Sequence, residues 1–297
     1  MRSTFTVISV AGIPVKIHWN WLITALLVTW TLARGYFPQE NPSWSSALYW
    51  VTAILTAALF FVSILLHEFG HAIVAKKENV RVQSITLFVF GGVAHIENEP
   101  ETPGAEFRIV LAGPLTSFAL ALIFHVISVN TDPSGILSAG TGYLSSINLI
   151  LAIFNLIPGF PLDGGRILRS LLWWVVGNFT KATRWATNIG YGIAGVFFAI
   201  GVVFIYFGNI IGGLWILFIG GYLGLVAHGA RMQINAVEEE HRVIETALAS
   251  ARYSRPPLVW NKTAVLEPVK ITTDRLFDER VVRAKPFKWG QDPGDRR

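Results

Sequence analysis

The sequence predicts an all-α polytopic membrane protein: six transmembrane helices, a small membrane-surface β-hairpin inserted between the second and third, and a short N-terminal strand pair. Three observations predict it. Hydrophobic residues make up 52% of the 297 and charged residues only 14%, with a mean hydropathy of +0.49; this is too apolar for an ordinary soluble domain. Several apolar runs approach or exceed the roughly 20 residues that a helix needs to cross a bilayer. The basic residues are also sorted. Lys16, Lys76, Lys77, Arg81, Arg108, Arg166, Arg169, Lys181, Arg184 and Arg231 fall on one side of the runs, and the other side holds little beyond Arg34, Glu40 and Asp132. That is the positive-inside pattern, and it puts both termini in the cytoplasm, as an even number of crossings requires.

The elements follow in order. Residues 4–17, TFTVISVAGIPVKI, read as two short strands hinged at Gly12 to Pro14. A first helix runs from about Trp19 to Ala33, with tryptophans as interfacial anchors. The second starts near Ala47 and reaches about Ala75, ending on Lys76 and Lys77. Residues 80–97, VRVQSITLFVFGGVAHIE, are β-branched and aromatic, and Gly91-Gly92 supplies the expected turn of a hairpin at the membrane surface. A third helix spans about Glu106 to Val129. The fourth begins near Thr141, is broken by IPGFPLDGG and resumes as RILRSLLWWVV, and two more cover about 188–207 and 212–230.

These elements divide the chain into an N-terminal strand segment (1–18), a six-helix core (19–230) and a polar cytoplasmic tail (231–297). Within the tail, QINAVEEEHRVIETALASAR reads as an amphipathic helix, and the chain after Pro256-Pro257 turns irregular and disordered.

A net charge of +5 and a pI near 9.6 do not make this a nucleic-acid binder. Much of the positive charge sits in short loops beside apolar segments, where topology demands it. There are no cysteines, which excludes disulfides and thiolate chemistry. The N-terminus shows no apolar region followed by a small-residue cleavage site.

Within the second helix, SILLHEFGHAIVA (63–75) places His67, Glu68 and His71 in a run that is otherwise apolar. Ionisable groups are expensive at membrane depth and mark function when they occur there. At 3.6 residues per turn the two imidazoles project about 40° apart, on one face. They can share a zinc ion with bonds of about 2.0–2.1 Å. Glu68 projects about 100° from His67, within reach of a water on the metal without ligating it, which is the place of a general base. Zinc lowers the pKa of water towards about 7, and Glu68 takes the proton and passes it to the leaving amine. Gly70, on the flank of the same face, leaves room for another backbone to approach.

A catalytic zinc has three protein ligands, and the candidate third is Asp163, in FNLIPGFPLDGGRIL. Pro158, Gly159 and Pro161 break the helix there, and irregular backbone at membrane depth is tolerated only where it is buried in protein or lines a cavity. Asp163 also fits as an N-cap of the resuming helix. Asn155, one turn before the break, fits an amide donor to a substrate carbonyl or oxyanion, with a helix–helix hydrogen bond as the competing role. Gly91 and Gly92 allow a substrate backbone to come close to an edge strand, or simply shape a packed hairpin. His18, His95 and His125 read as structural.

HEFGH on a membrane helix, FGGVAHIE after it, LAGPL at 111–115 and FNLIPGFPLDGGRIL together resemble the site-2 protease family of intramembrane zinc metalloproteases. The N-terminal GIPVKIHWNWLI resembles its six-span bacterial and archaeal branch. The resemblance covers about residues 5–230. It implies one Zn2+ held by His67, His71 and Asp163, Glu68 as base, and a substrate-holding role for Asn155. It also implies a membrane-tethered protein substrate of the anti-sigma or pro-sigma type, in a prokaryotic plasma membrane. Many members of this branch carry a cytosolic CBS pair after the last span; the tail here is roughly half the length such a pair needs. Two other functions compete with the protease: a catalytically silent scaffold of the same fold, and a zinc transporter.

Overall fold

The apolar run that begins at residue 46 folds into a single helix, α3 (Ser46–Lys77), of 32 residues. Its N-cap is Ser45, whose hydroxyl accepts from the Leu48 N–H at 3.4 Å, and it closes on Lys76 and Lys77. At 1.5 Å per residue it is about 48 Å long, more than the roughly 30 Å of a hydrocarbon core. The structure is a computed structural model that describes residues 4–88, 91–160 and 162–253. Pro161, the two residues between the central strands, and the irregular stretch expected after Pro256-Pro257 lie outside the described residues.

Before α3 come strands β1 (Thr4–Val10) and β2 (Ile13–His18), then α1 (Trp21–Thr31). The first expected helix, about 19 to 33, differs in form. α1 passes through a π-turn (Leu32–Tyr36) into α2 (Phe37–Glu40), so the helical run is longer and interrupted. The reason is packing: the widened turn brings Leu32, Ala33 and Phe37 into one buried cluster with Ala53 and Ala57 of α3.

After α3 come β3 (Val82–Phe88), β4 (Gly91–Ile96) and α4 (Pro103–Val129). α4 is opened by Thr102, whose hydroxyl accepts from the Ala105 N–H at 3.2 Å, and by Pro103, which gives up no needed donor there. The fourth apolar run becomes α5 (Ile136–Asn155) and, after the break, α6 (Asp163–Val176), which ends at Gly177 with φ +67°. Then come α7 (Phe179–Tyr206) and α8 (Ile210–Tyr253). Among the described residues, five helices are long and apolar enough to cross a membrane: α3, α4, α5, α7 and the membrane part of α8. The chain divides into two compact units, 1–231 and 232–297; in the second, residues 232–253 are helical, as expected of QINAVEEEHRVIETALASAR.

The strands correct the sequence reading in two ways. The N-terminal pair and the hairpin are not separate units but one four-stranded sheet in the order β1-β2-β3-β4. Its join is parallel, with Val15 opposite Ile85 and Ile17 opposite Leu87. Gly91 and Gly92 are not the turn; they lie inside β4, opposite Phe88 and Leu87.

The inner face of the sheet, with Ile13, Val15 and Ile85, packs on Phe69 and Ala72 of α3. The β1–β2 tip is tied down where Lys76 Nζ donates to the Ala11 carbonyl at 3.2 Å. The sheet therefore lies along the last third of α3, beside HEFGH.

Candidate metal centre

Two helices meet closely around the motif because of glycines. A Cβ on Gly70 would lie 2.5 Å from Thr116 Oγ1 and 2.8 Å from the Ala112 carbonyl oxygen, so α4 is the backbone that Gly70 admits. On α4, a Cβ on Gly113 would lie 2.1 Å from His71 Nε2 and 2.8 Å from His67 Nε2. The space above Gly113 is where both imidazoles converge.

Each ring is then held from behind. His71 Nδ1 is 2.9 Å from the carbonyl of Ile109. A carbonyl only accepts, so Nδ1 carries the proton and Nε2 presents a lone pair. His67 Nδ1 lies 2.9 Å from Ser117 Oγ, on a fully buried serine about two turns further along α4. Partners of this kind fix the tautomer and the ring orientation of metal-ligating histidines.

Asp163 completes the group. The break at 156–160 folds tightly onto the start of α6: a Cβ on Gly164 would lie 2.3 Å from the carbonyl oxygens of Leu156 and Ile157, and one on Gly165 2.6 Å from Phe160 N. The N-cap of α6 is Leu162, with no side-chain cap, and Asp163 is the first helical residue. Its carboxylate points away from capping duty. Asp163 Oδ2 is 3.2 Å from His67 Nε2 and 3.2 Å from His71 Nε2, and the two Nε2 atoms are 3.3 Å apart.

The donor atoms fit a tetrahedral ion. Bonds of about 2.0–2.1 Å at tetrahedral angles give ligand-to-ligand edges of about 3.3 Å. Two imidazole nitrogens and a carboxylate, all largely buried, match that size and suit zinc. Asp163 is the exposed corner, its side chain 16% accessible against 5% and 9% for the histidines.

Glu68 lies beside the group and outside it. Its Oε2 accepts from the backbone N–H of Ala94 in β4 at 3.2 Å. A Cβ on Gly92 would lie 2.5 Å from Glu68 Cγ, so the absent side chain at Gly92 makes room for this glutamate. Gly91 starts β4, opposite Phe88 of β3.

Asn155 closes α5, half-buried, and none of the described hydrogen bonds engages its amide. The helix–helix bond considered for it is made by Asn148 instead, whose Nδ2 donates to Ser63 Oγ at 3.3 Å and to the Leu144 carbonyl at 2.8 Å. His95 bonds Thr86 Oγ1 at 3.1 Å across the hairpin, and His18 Nδ1 accepts from the Asn20 N–H at 3.3 Å.

Gly113 and Ser117 are the functional residues that sequence reasoning missed. The signal for the first is the glycine of LAGPL; Ser117 has none, being one hydroxyl among many on a membrane helix. Replacing Ser117 with Ala is expected to weaken metal binding about 10–100-fold. Chelator competition on the purified protein measures this, and an unchanged affinity would mean that His67 is oriented by something else.

The model of Peptidase family M50 matches residues 55–139 and 132–200, the segments that carry His67, His71, Gly113 and Asp163. Rip3 of Mycobacterium tuberculosis is 36% identical over 239 residues, which is 79% of this chain and 60% of Rip3; the chain thus spans about three fifths of that relative's length. A zinc metalloprotease of Methanocaldococcus jannaschii is 33% identical over 283 residues, 94% of this chain and 71% of that protein. The solved structure of the site-2 protease from Methanocaldococcus jannaschii is 31% identical, covers 74% of this chain and 95% of its own, and superposes with a TM-score of 0.48. With nearly the whole chain aligned to most of an archaeal relative, and the family model falling on the histidine and aspartate segments, the chain belongs to peptidase family M50, the site-2 protease family.

Proposed function

We propose that this protein is an intramembrane zinc endopeptidase that hydrolyses a peptide bond in or near a transmembrane segment of a membrane-tethered protein. The observation that carries the reading is the triangle of His67 Nε2, His71 Nε2 and Asp163 Oδ2, with edges of 3.2–3.3 Å and Glu68 alongside. Zinc bound there supplies Lewis acidity, polarising a carbonyl and lowering the pKa of water towards about 7. Glu68, steadied by the Ala94 N–H, takes the proton of the attacking water and returns it to the leaving amine nitrogen.

A substrate helix must unwind before its backbone can be reached. β4 pairs with β3 along one edge, and its other edge carries the Ala94 N–H that meets Glu68. An extended substrate strand laid along that side would pass the base. Asn155, at the end of α5, is the residue to which this reading gives the task of holding the extended backbone through its amide.

The membrane core is residues 19–230, between the strand segment 1–18 and the cytoplasmic tail 231–297. It crosses a prokaryotic plasma membrane six times, with the π-interrupted run from α1 to α2 as the first crossing and both termini inside. The basic loops around Lys76 and Lys77 support that orientation, and the sheet along α3 extends from that surface into the bilayer. A membrane-tethered transcriptional regulator, of the anti-sigma or pro-sigma type, suits a protease so placed.

The test is Glu68→Gln in cells. Cleavage is expected to fall about 10²–10⁴-fold while zinc stays bound, so that uncut membrane proteins accumulate against wild type. An unchanged membrane proteome would favour a silent scaffold. Zinc that exchanges freely across the membrane would favour a transporter.

A further inference from the structure

Arg169, near the middle of α6, is only 6% exposed. Its guanidinium meets four segments. From α4, the fully buried Glu106 accepts through Oε1 from Arg169 Nε at 2.8 Å and also from Nη2. From the stretch after β4, Glu99 Oε2 accepts from the same Nη2 at 3.1 Å. The rings of Phe160, in the break before Asp163, and Phe179, at the start of α7, face the guanidinium at 5.7 and 4.6 Å. Arg166 Nε approaches Glu106 Oε1 at 3.7 Å, so two arginines balance two glutamates.

Buried ions of this kind are weak evidence for stability, because apolar residues of similar volume often serve as well. What the cluster sets is position. Glu106 is one helical turn before Ile109, whose carbonyl holds His71 Nδ1. Asp163 is six residues before Arg169 on the same helix. Glu99 is five residues after Ala94, whose N–H holds Glu68. The distance between the two imidazoles is set within one continuous helix. The distance from them to Asp163 depends on how α6 docks on α4, and Arg169 is the hydrogen-bonded ionic contact at that docking, with Arg166 beside it at 3.7 Å from the same Glu106 oxygen.

We propose that Arg169 is a positioning residue with two separable arms: through Glu106 it holds Asp163 at ligand distance from His67 and His71, and through Glu99 it holds β4, and with it Glu68, against them. This rests on the metalloprotease reading above. The geometry uses the planar fork of an arginine, since Nε and Nη2 converge on Glu106 Oε1 while Nη2 also reaches Glu99 Oε2, and a lysine offers a single point charge without that fixed fork.

The test uses the full-length protein, with zinc affinity from chelator competition and cleavage of a tethered substrate measured side by side. Arg169→Lys is expected to weaken zinc binding about 10–100-fold, the range for lost ligand-supporting partners. Removing one charge alone strands the other, and Glu106 Oε2 already has no partner among the described residues. The paired variant Glu106→Gln with Arg169→Met removes both charges. It is expected to fold, as thermal unfolding reports, and still to bind zinc about 10–100-fold more weakly. Glu99→Gln is expected to keep wild-type zinc affinity and KM while kcat falls about tenfold, as misplacing a catalytic group does. A folded paired variant with wild-type zinc affinity overturns the proposal, and so does a Glu99→Gln protein that loses zinc along with activity. A wild-type chain with no tight zinc overturns the metalloprotease reading itself, a result distinct from either.

Discussion

Asp163→Asn is expected to abolish cleavage and to release zinc at chelator concentrations that wild type withstands. Asparagine keeps the size of aspartate and is an equally good helix N-cap, so a capping role would survive the change. A ligand role would not. The neutral amide gives up the charge that balances the ion, at an atom 3.2 Å from both Nε2 atoms. The expected fall in zinc affinity exceeds the roughly 100-fold upper range for losing a mere supporting partner. Thermal unfolding of the zinc-free protein, compared with zinc-free wild type, separates the two roles: a ligand leaves that comparison nearly level, whereas a lost structural contact lowers it. Wild-type zinc affinity in Asp163→Asn would remove Asp163 from the site and leave the chain two ligands.

What was legible in the sequence follows the range over which each constraint acts. His67 and His71 share a face because four residues of helix separate them, and that is local geometry. Asp163 stands out as a candidate ligand because HExxH lies upstream of it and because Pro158 and Gly159 break a membrane helix beside it, where irregular backbone must be buried in protein or line a cavity. The parallel join of β2 to β3 was not visible. It links Val15 to Ile85 across the whole of α3, and nothing in either strand states its partner.

Gly91-Gly92 misled for an instructive reason. A glycine pair between aromatic and β-branched residues is a strong turn signal, but at Gly92 the space of a side chain is taken by Glu68. In the sequence Arg169 is one more positive charge on the basic side of the apolar runs, and burial between Glu106, Glu99 and two aromatic rings cannot be told from that by composition. In each of these cases the missing information is a contact between distant segments, and the motif marks only one end of it.

Gly113→Ala is the smallest change with the second large expected effect. The added methyl would sit 2.1 Å from His71 Nε2 and 2.8 Å from His67 Nε2, where a carbon needs at least 3.0 Å. The rings cannot retreat along their own planes, because Ile109 and Ser117 hold their Nδ1 atoms at 2.9 Å. α4 cannot easily retreat either, since Gly70 keeps it pressed on α3 at Thr116 and Ala112. The methyl must therefore displace the nitrogens that would hold the metal, and zinc affinity and cleavage are expected to collapse together. Gly192→Ala on α7, where an added Cβ meets nothing within 4 Å, controls for glycine replacement in a membrane helix and is expected to retain both. Because alanine is the better helix former by about 1 kcal/mol, Gly113→Ala should not unravel α4. A folded protein that has lost its zinc is the expected result, and a Gly113→Ala protein that still binds zinc tightly would show that the ion does not sit above this glycine.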